Sequence, residues 1–227
     1  MCPARWRHSR SSHAVVAVPE LKICGLTREV DAAAAVACGA GYVGVIFAGG
    51  PRERSVAQAR RVLDAAAGAR RVAVVAEQSV EELAALAEAL ALDVLQLHGD
   101  PTIARIASVR RLTGRAVWAV VRVAEGALRA DAVDLSSAAD MVVVEPLVPG
   151  RLGGTGTSFD WAAARESIAS IRRPGRLALA GGLTPINVKE AIAALAPDLV
   201  DVSSGVESAP GIKDGQRMRD FAEAVLR

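Results

Sequence analysis

The sequence predicts a single-domain α/β protein of the (β/α)8, or TIM, barrel class, and three observations carry that expectation. From Glu20 onward, short β-rich runs alternate with helical patterns eight times. The runs are almost continuously apolar, as parallel strands covered on both faces must be. Eight such units within residues 20–227 fit a barrel whose usual size is about 250 residues and whose lower range is about 200. A doubly wound sheet commonly has fewer strands. It would also place a G-x-G-x-x-G turn after the first strand, and Cys24-Gly25-Leu26-Thr27 does not supply one.

The eight expected strands are Leu21–Cys24, Tyr42–Phe47, Arg71–Ala76, Asp93–Leu97, Ala116–Val121, Met141–Val144, Arg176–Ala180 and Leu199–Val202. Thr27 is placed to cap the first helix, where Val30, Ala33, Ala34 and Ala37 form one apolar stripe; Val80, Leu83, Ala84 and Ala87 form another. Ser79 with Glu82 reads as a capping box. Asp100-Pro101 and Thr184-Pro185 read as N-cap and N1 proline pairs, and Gly68 as a helix stop. Between Ala124 and Ala139 the pattern is poor, and a helix is expected there only from its place in the alternation.

Composition narrows the function classes. The 227 residues are 52% hydrophobic and 3% aromatic, enough for one fairly large core. Charged residues interrupt every apolar stretch before it reaches the roughly 18–20 residues of a membrane span, so no membrane partner is expected. The net charge of +2 is accounted for by Arg5, Arg7 and Arg10, leaving no basic stripe for nucleic acid. Cys2, Cys24 and Cys38 are odd in number, lack metal-ligand spacing and fit a reducing cytoplasm. Residues 1–19, with His8 and serines among the arginines, show neither strand nor helix period and read as a disordered extension ahead of the barrel at 20–227.

A barrel gathers its chemistry at the C-terminal ends of its strands. Those positions hold Cys24, Arg52, Glu77 with Gln78, His98, Arg122, Glu145, Gly181 with Gly182, and Ser203-Ser204-Gly205. A thiol at a strand end is a candidate catalytic group, although free Cys is also among the most buried residue types and a lone one is commonly core. Two adjacent glycine-rich ends, Ala180-Gly181-Gly182-Leu183-Thr184 and Ser203-Ser204-Gly205-Val206-Glu207, lie after strands seven and eight, the customary phosphate site of this fold. A phosphorylated small-molecule substrate follows, whereas glycines that merely permit tight turns are the plainer reading. Gly153-Gly154-Thr155-Gly156 has the length of a closing loop. Glu145 leaves an apolar strand, where burial would keep a carboxyl protonated as a general acid; a surface glutamate at a loop start fits the local context as well.

These residues together resemble the phosphoribosylanthranilate isomerase family. The resemblance rests on Lys22-Ile23-Cys24-Gly25-Leu26-Thr27, Gly50-Pro51-Arg52 before Ser55, Gln96-Leu97-His98-Gly99-Asp100, Gly153-Gly154-Thr155-Gly156 with Phe159-Asp160-Trp161, Ala180-Gly181-Gly182-Leu183, and Asp201-Val202-Ser203-Ser204-Gly205-Val206-Glu207 through Pro210-Gly211 and Lys213-Asp214. It runs in order from about Leu21 to the C-terminus. It implies the Amadori rearrangement of N-(5-phosphoribosyl)anthranilate in tryptophan biosynthesis, without cofactor or metal. By that resemblance Cys24 is the general base, Glu145 the general acid, Arg52 the contact to the anthranilate carboxylate and Asp201 a positioning residue near the amino nitrogen. Gly154 belongs to the closing loop, and Gly181, Gly182, Ser204 and Gly205 to the phosphate site; His98 is expected to be a structural hydrogen bonder. The resemblance carries a monomer or weak homodimer as its expectation.

The family places Asp where this chain has Glu145. Glutamate is longer by one C–C bond, about 1.5 Å, and misplacing a reacting group by roughly 1 Å can cost on the order of a hundredfold in rate. A non-catalytic barrel that binds a phosphorylated ligand is therefore the alternative function. The related isomerase of histidine biosynthesis would need Asp at Cys24 and a second phosphate loop after strands three and four, which Val75-Ala76-Glu77-Gln78 and His98-Gly99-Asp100 do not resemble.

Overall fold

The structure, a computed structural model, describes residues 18–99, 101–148 and 158–226. Eight strands, β1 (Glu20–Ile23), β2 (Tyr42–Ile46), β3 (Arg70–Val75), β4 (Val94–Leu97), β5 (Ala116–Ala124), β6 (Met141–Pro146), β7 (Leu177–Leu179) and β8 (Leu199–Val202), each pair in parallel with both neighbours. The ring closes between β8 and β1. Between and after the strands run α1 (Glu29–Ala37), α2 (Val56–Asp64), α3 (Val80–Leu90), α4 (Ile103–Thr113), α5 (Ala132–Ala138), α6 (Trp161–Ile171), α7 (Val188–Leu195) and α8 (Gly215–Leu226). The expected barrel is thus present. The expected extension lies, up to residue 17, outside the described residues, as do Asp100 and Gly153–Gly156.

Strand alternation sorts the side chains into two cores. Leu21, Ile23, Val43, Val45, Ala73, Val75, Leu95 and Leu97 point outward into the layer shared with the helices. Tyr42, Val72, Val94, Trp118, Met141, Val143 and Leu199 fill the lumen, with the Tyr42 and Trp118 rings 5.0 Å apart. The buried polar groups Lys22, Gln96, His98, Glu145 and Asp201 belong to the same inward faces. The lower lumen is therefore a packed plug, and the polar groups collect toward the C-terminal mouth.

Several local expectations are corrected. The α1 N-cap is Arg28, without a side-chain cap bond, because the Thr27 hydroxyl donates to the Gly211 carbonyl instead. The buried face of α1 is Asp31, Ala32 and Ala35, and Val30 is exposed. Asp31 is drawn inward by Arg28, at 2.6 and 2.8 Å, and by the Lys213 backbone N–H at 3.1 Å, so an ionic site overrides the apolar stripe. α4 is capped by Thr102, whose hydroxyl accepts from Arg105 N–H, and α7 begins only after Asn187, which accepts from Thr184 N–H at 2.8 Å. α2 stops at Asp64, short of Gly68. The Ser79–Glu82 capping box forms as expected.

The weak stretch after β5 begins as a hairpin, in which Ala127–Leu128 folds back on Val123 and Ala124. Glu125 and Gly126 both have positive φ, 49° and 80°, the geometry of a two-residue hairpin turn. Only then does the short α5 follow. A second hairpin, Glu207–Ala209 with Ile212–Lys213, follows β8.

Candidate active site

Cys24 extends β1 by one ladder bond, its N–H donating to Val202 O at 2.9 Å, so its side chain shares the inward face of Lys22. Room for the sulfur comes from Gly44 on the neighbouring strand. A Cβ at Gly44 would lie 2.7 Å from Cys24 Sγ and 3.3 Å from Cys24 Cα, so the sulfur would have to shift and the backbone give by a few tenths of an ångström. Two residues back along β1, Lys22 is completely buried and its ammonium donates to Asp201 Oδ2 at 2.6 Å. The two residues are direct register partners on β1 and β8. Burial pushes the Cys24 thiol up from its ordinary value, and the Lys22 charge is the largest influence in the opposite direction. Burial likewise raises the Asp201 carboxyl against the pull of Lys22, and Asp201 Oδ1 is buried without a hydrogen-bond partner among the described residues.

Across the mouth, Glu145 emerges from β6 as an inward, buried side chain. Its register partner on β5 is Arg122, whose Nε donates to Glu145 Oε1 at 3.2 Å while Nη2 donates to the His98 carbonyl at 2.6 Å. His98 Nε2 stands 3.8 Å from the same Oε1. Burial raises the Glu145 carboxyl above its ordinary range, and His98 and Arg122 oppose it without prevailing. The residue is thus a buried carboxyl shifted toward the protonated form, not the exposed loop-start glutamate that local context also permitted. The His98 ring, expected as a structural hydrogen bonder, lies beside this carboxyl.

The loop after β2 brings Arg52 to the third side. Its Nε and Nη2 donate to Glu207 at 2.8 and 2.7 Å, a fork-to-fork geometry that fixes the guanidinium plane. Glu207 also accepts from Lys213 Nζ at 2.8 Å, and Lys213 donates to Ser203 O at 3.1 Å. Burial alone would raise the Glu207 carboxyl, but the bonds from Arg52 and Lys213 outweigh it and hold the group below its ordinary value.

On the fourth side are the two glycine ends. Gly181 has φ +86°, and a Cβ there would fall 2.1 Å from Pro146 Cδ, so the loop after β7 closes tightly over the end of β6 only because the residue lacks a side chain. Asn187 Nδ2 donates to Gly182 O at 2.9 Å and ties this loop back. After β8, Ser204–Val206 form a short 3-10 turn. A Cβ on Gly205 would lie 1.9 Å from Leu183 O, which makes Gly205 the contact between the two loops.

These elements surround an open cleft of ≈ 920 Å³, solvent at its mouth included, and Cys24, Arg52, Glu145, Gly181, Gly182, Asp201 and Ser204 all line it. Gly205, expected at the site, is not in the lining but packs against Leu183, which is, and Gly154 lies outside the described residues. Glu77 and Gln78, which share the strand-end pattern, are not in the lining: Gln78 bonds Phe47 O and Ala76 N instead. Sequence reasoning missed Lys22, Gly44 and the Glu207–Lys213 pair as parts of the site. The available sign was Lys22 itself, a charge at an inward position of an otherwise apolar strand.

Barrel enzymes assemble acid–base pairs from the ends of different strands at this mouth, and the protein is an enzyme of that class. Residues 21–224 match the family described as N-(5'phosphoribosyl)anthranilate (PRA) isomerase. A relative named N-(5'-phosphoribosyl)anthranilate isomerase from Cereibacter sphaeroides is 43% identical over 212 residues, covering 90% of this chain and 97% of its own. The phosphoribosyl anthranilate isomerase of Thermus thermophilus superposes with a TM-score of 0.80 at 32% identity, covering 92% of this chain and 100% of its own. A further solved isomerase, in complex with reduced 1-(o-carboxyphenylamino)-1-deoxyribulose 5-phosphate, superposes with a TM-score of 0.78 at 29% identity, covering 92% of this chain and 98% of its own. The chain belongs to the phosphoribosylanthranilate isomerase family.

Proposed function

We propose that in this isomerase of tryptophan biosynthesis Cys24 is the general base and Glu145 the general acid of the Amadori rearrangement. The reaction turns N-(5-phosphoribosyl)anthranilate into 1-(2-carboxyphenylamino)-1-deoxyribulose 5-phosphate. The observation that carries the role assignment is that one cleft is lined by both groups, each buried, with Arg52 and the glycine loops also in its wall. The ligand in the related complex has a carboxylate at one end and a phosphate at the other. That polarity suits Arg52 for the carboxylate and Gly181, Gly182, Ser204 and Gly205 for the phosphate, where backbone N–H groups and the short turn after β8 favour an anion.

In this reading protonated Glu145 gives its proton to the furanose oxygen as the C1′–O bond breaks, and the anthranilate nitrogen takes up the positive charge as a Schiff base. The Cys24 thiolate removes the C2′ proton, and those electrons neutralise the nitrogen to leave an enolamine. Ketonisation adds a proton at C1′ and removes one from the 2′-hydroxyl, which restores both side chains. Asp201, with one oxygen bonded to Lys22 and the other without a partner among the described residues, accepts the substrate N–H in this reading. Gly154 belongs, in this proposal, to the loop that covers the substrate, and the chain acts as a monomer or weak homodimer in the cytoplasm.

The test is the loss of anthranilate-adduct fluorescence with purified protein. Turnover well above the spontaneous rate is expected; none would overturn the activity. No feature of the described residues favours the non-catalytic alternative, since the longer Glu145 is accommodated inside the lumen rather than displaced into solvent.

A further inference from the structure

We propose that Lys22 is a positioning residue for the reaction: its buried ammonium, held in place by Asp201, stabilises the Cys24 thiolate, and Asp201 sets how much of that charge the thiol receives. The proposal rests on the reading of Cys24 as the base, and it supplies what that reading lacks. A thiol enclosed by apolar walls is a poor base because its charged form is desolvated.

Among the described residues, Lys22 is the cation that shares the Cys24 face of β1. Lys22 and Cys24 stand two positions apart on the same face of β1, about 6.6 Å along the strand, a separation that a four-carbon side chain can bridge. Lys22 is 0% exposed, so its charge is screened much less than a surface charge. The other charged groups facing the mouth each have partners of their own. Lys213, from the hairpin after β8, bonds Glu207 and Ser203. Arg52, from the loop after β2, is spread over both oxygens of Glu207. Glu145, on β6, is engaged by Arg122 from β5 and lies beside His98 from β4. Asp201, on β8, is the only carboxylate bonded to Lys22 among the described residues, and it shares the ammonium's influence with the thiol.

A lysine has three donors, and Asp201 takes one of them. A pair whose only purpose was to join β1 to β8 could be replaced by packed apolar side chains at little cost or with a gain. Placing it immediately below the thiol, in a lumen otherwise plugged with Val, Leu, Met and Trp, gives the charge an electrostatic use.

The experiment measures iodoacetamide alkylation of Cys24 against pH, read by mass spectrometry of the Cys24 peptide so that Cys2 and Cys38 do not contribute. Full-length wild type, Lys22→Met, Asp201→Asn and the double variant are compared. The reactivity midpoint is expected to move to higher pH in Lys22→Met and to lower pH in Asp201→Asn; the double variant should lie above wild type. A midpoint displaced by about one pH unit changes the thiolate fraction on its acid side about tenfold. A merely structural pair would not move the midpoint in opposite directions for its two members. Unchanged midpoints, or a displacement of the same sign in both single variants, would overturn the proposal. If Lys22→Met does not fold, Asp201→Asn and the double variant decide it, and an unmoved or raised midpoint in Asp201→Asn overturns it. Alkylation does not require turnover, so a fully active Cys24→Ala would remove the base assignment while leaving this electrostatic result standing.

Discussion

Two cross-strand ion pairs face each other across the barrel mouth, and they are built differently. On β1 and β8, Lys22 and Asp201 meet at 2.6 Å with side chains 0% and 8% exposed. On β5 and β6, Arg122 and Glu145 meet at 3.2 Å with 10% and 8% exposed. The first is tight and lies below Cys24, which is not a member of the pair; the second is looser and contains Glu145. Arg122 lies closer to the His98 carbonyl, 2.6 Å, than to Glu145, 3.2 Å, and burial prevails over His98 and Arg122 to shift Glu145 toward its protonated form. With Cys24 as the proposed base and Glu145 as the proposed acid, the two sides need opposite outcomes, although burial pushes both groups up. A base must be kept ionised, which calls for a close cation, while an acid must be kept neutral, which calls for a weakly held one.

The strongest way to break this contrast is to remove one reacting group from each side. Cys24→Ala and Glu145→Gln should each lower kcat/KM by about 10²–10⁴-fold, the usual contribution of a general acid or base, in the fluorescence assay. Glu145→Asp should instead retain activity, because it keeps the titrating group on the same strand end. If Glu145→Gln were fully active, Glu145 would cease to be the acid.

Next in size is Gly44→Ala. The added methyl would press on Cys24 at both sulfur and Cα, and the Cα cannot withdraw without bending β1. A thiol displaced by roughly 1 Å should lose on the order of a hundredfold in kcat, with a stability cost of about 1–3 kcal/mol for overpacking in a denaturant melt. A variant with wild-type kcat would show that the sulfur position is not constrained by Gly44.

The contrast between the two sides also explains which parts of the site are legible in the sequence. Cys24, Arg52, Glu145 and the glycine ends become candidates through strand order, because a barrel sends every strand end to one mouth, while their individual roles come only from the family resemblance. The Lys22–Asp201 pair spans 179 positions and depends on the β1–β8 register, which no local pattern encodes. Gly44 reads as an unremarkable glycine inside a strand until its neighbour across the ladder is known. The buried face of α1 escapes the apolar pattern for a related reason: Asp31 is turned inward by Lys213, 182 positions away. Apolar periodicity locates elements well, and it fails where an ionic contact between distant segments decides which side is buried.

A smaller effect is expected at the carboxylate end. Glu207 fixes the plane of Arg52 with two bonds, so Glu207→Gln should release one of them and leave the guanidinium less well aimed. That interaction is equally present in ground and transition states, so KM should rise about three- to tenfold with kcat little changed. A kcat loss at constant KM would move Arg52 out of simple substrate binding.

The smallest expected change is a shift in pH dependence at Arg122. Burial is what raises the Glu145 carboxyl, and His98 and Arg122 both lower it. Replacing Arg122 with Met removes one lowering charge, so Glu145 should hold its proton to higher pH, and the limb of the kcat/KM profile that follows Glu145 should move upward. The limb that follows Cys24 should stay in place, because the cations acting on that thiol are Lys22 and Lys213. Arg122→Lys keeps the charge while losing the forked geometry toward Glu145 and His98, and its profile should remain close to wild type. Movement of the Cys24 limb in Arg122→Met would mean that the two pairs are electrically one site; movement of neither limb would mean that Arg122 holds the β4–β6 loops together and leaves the acid to burial alone.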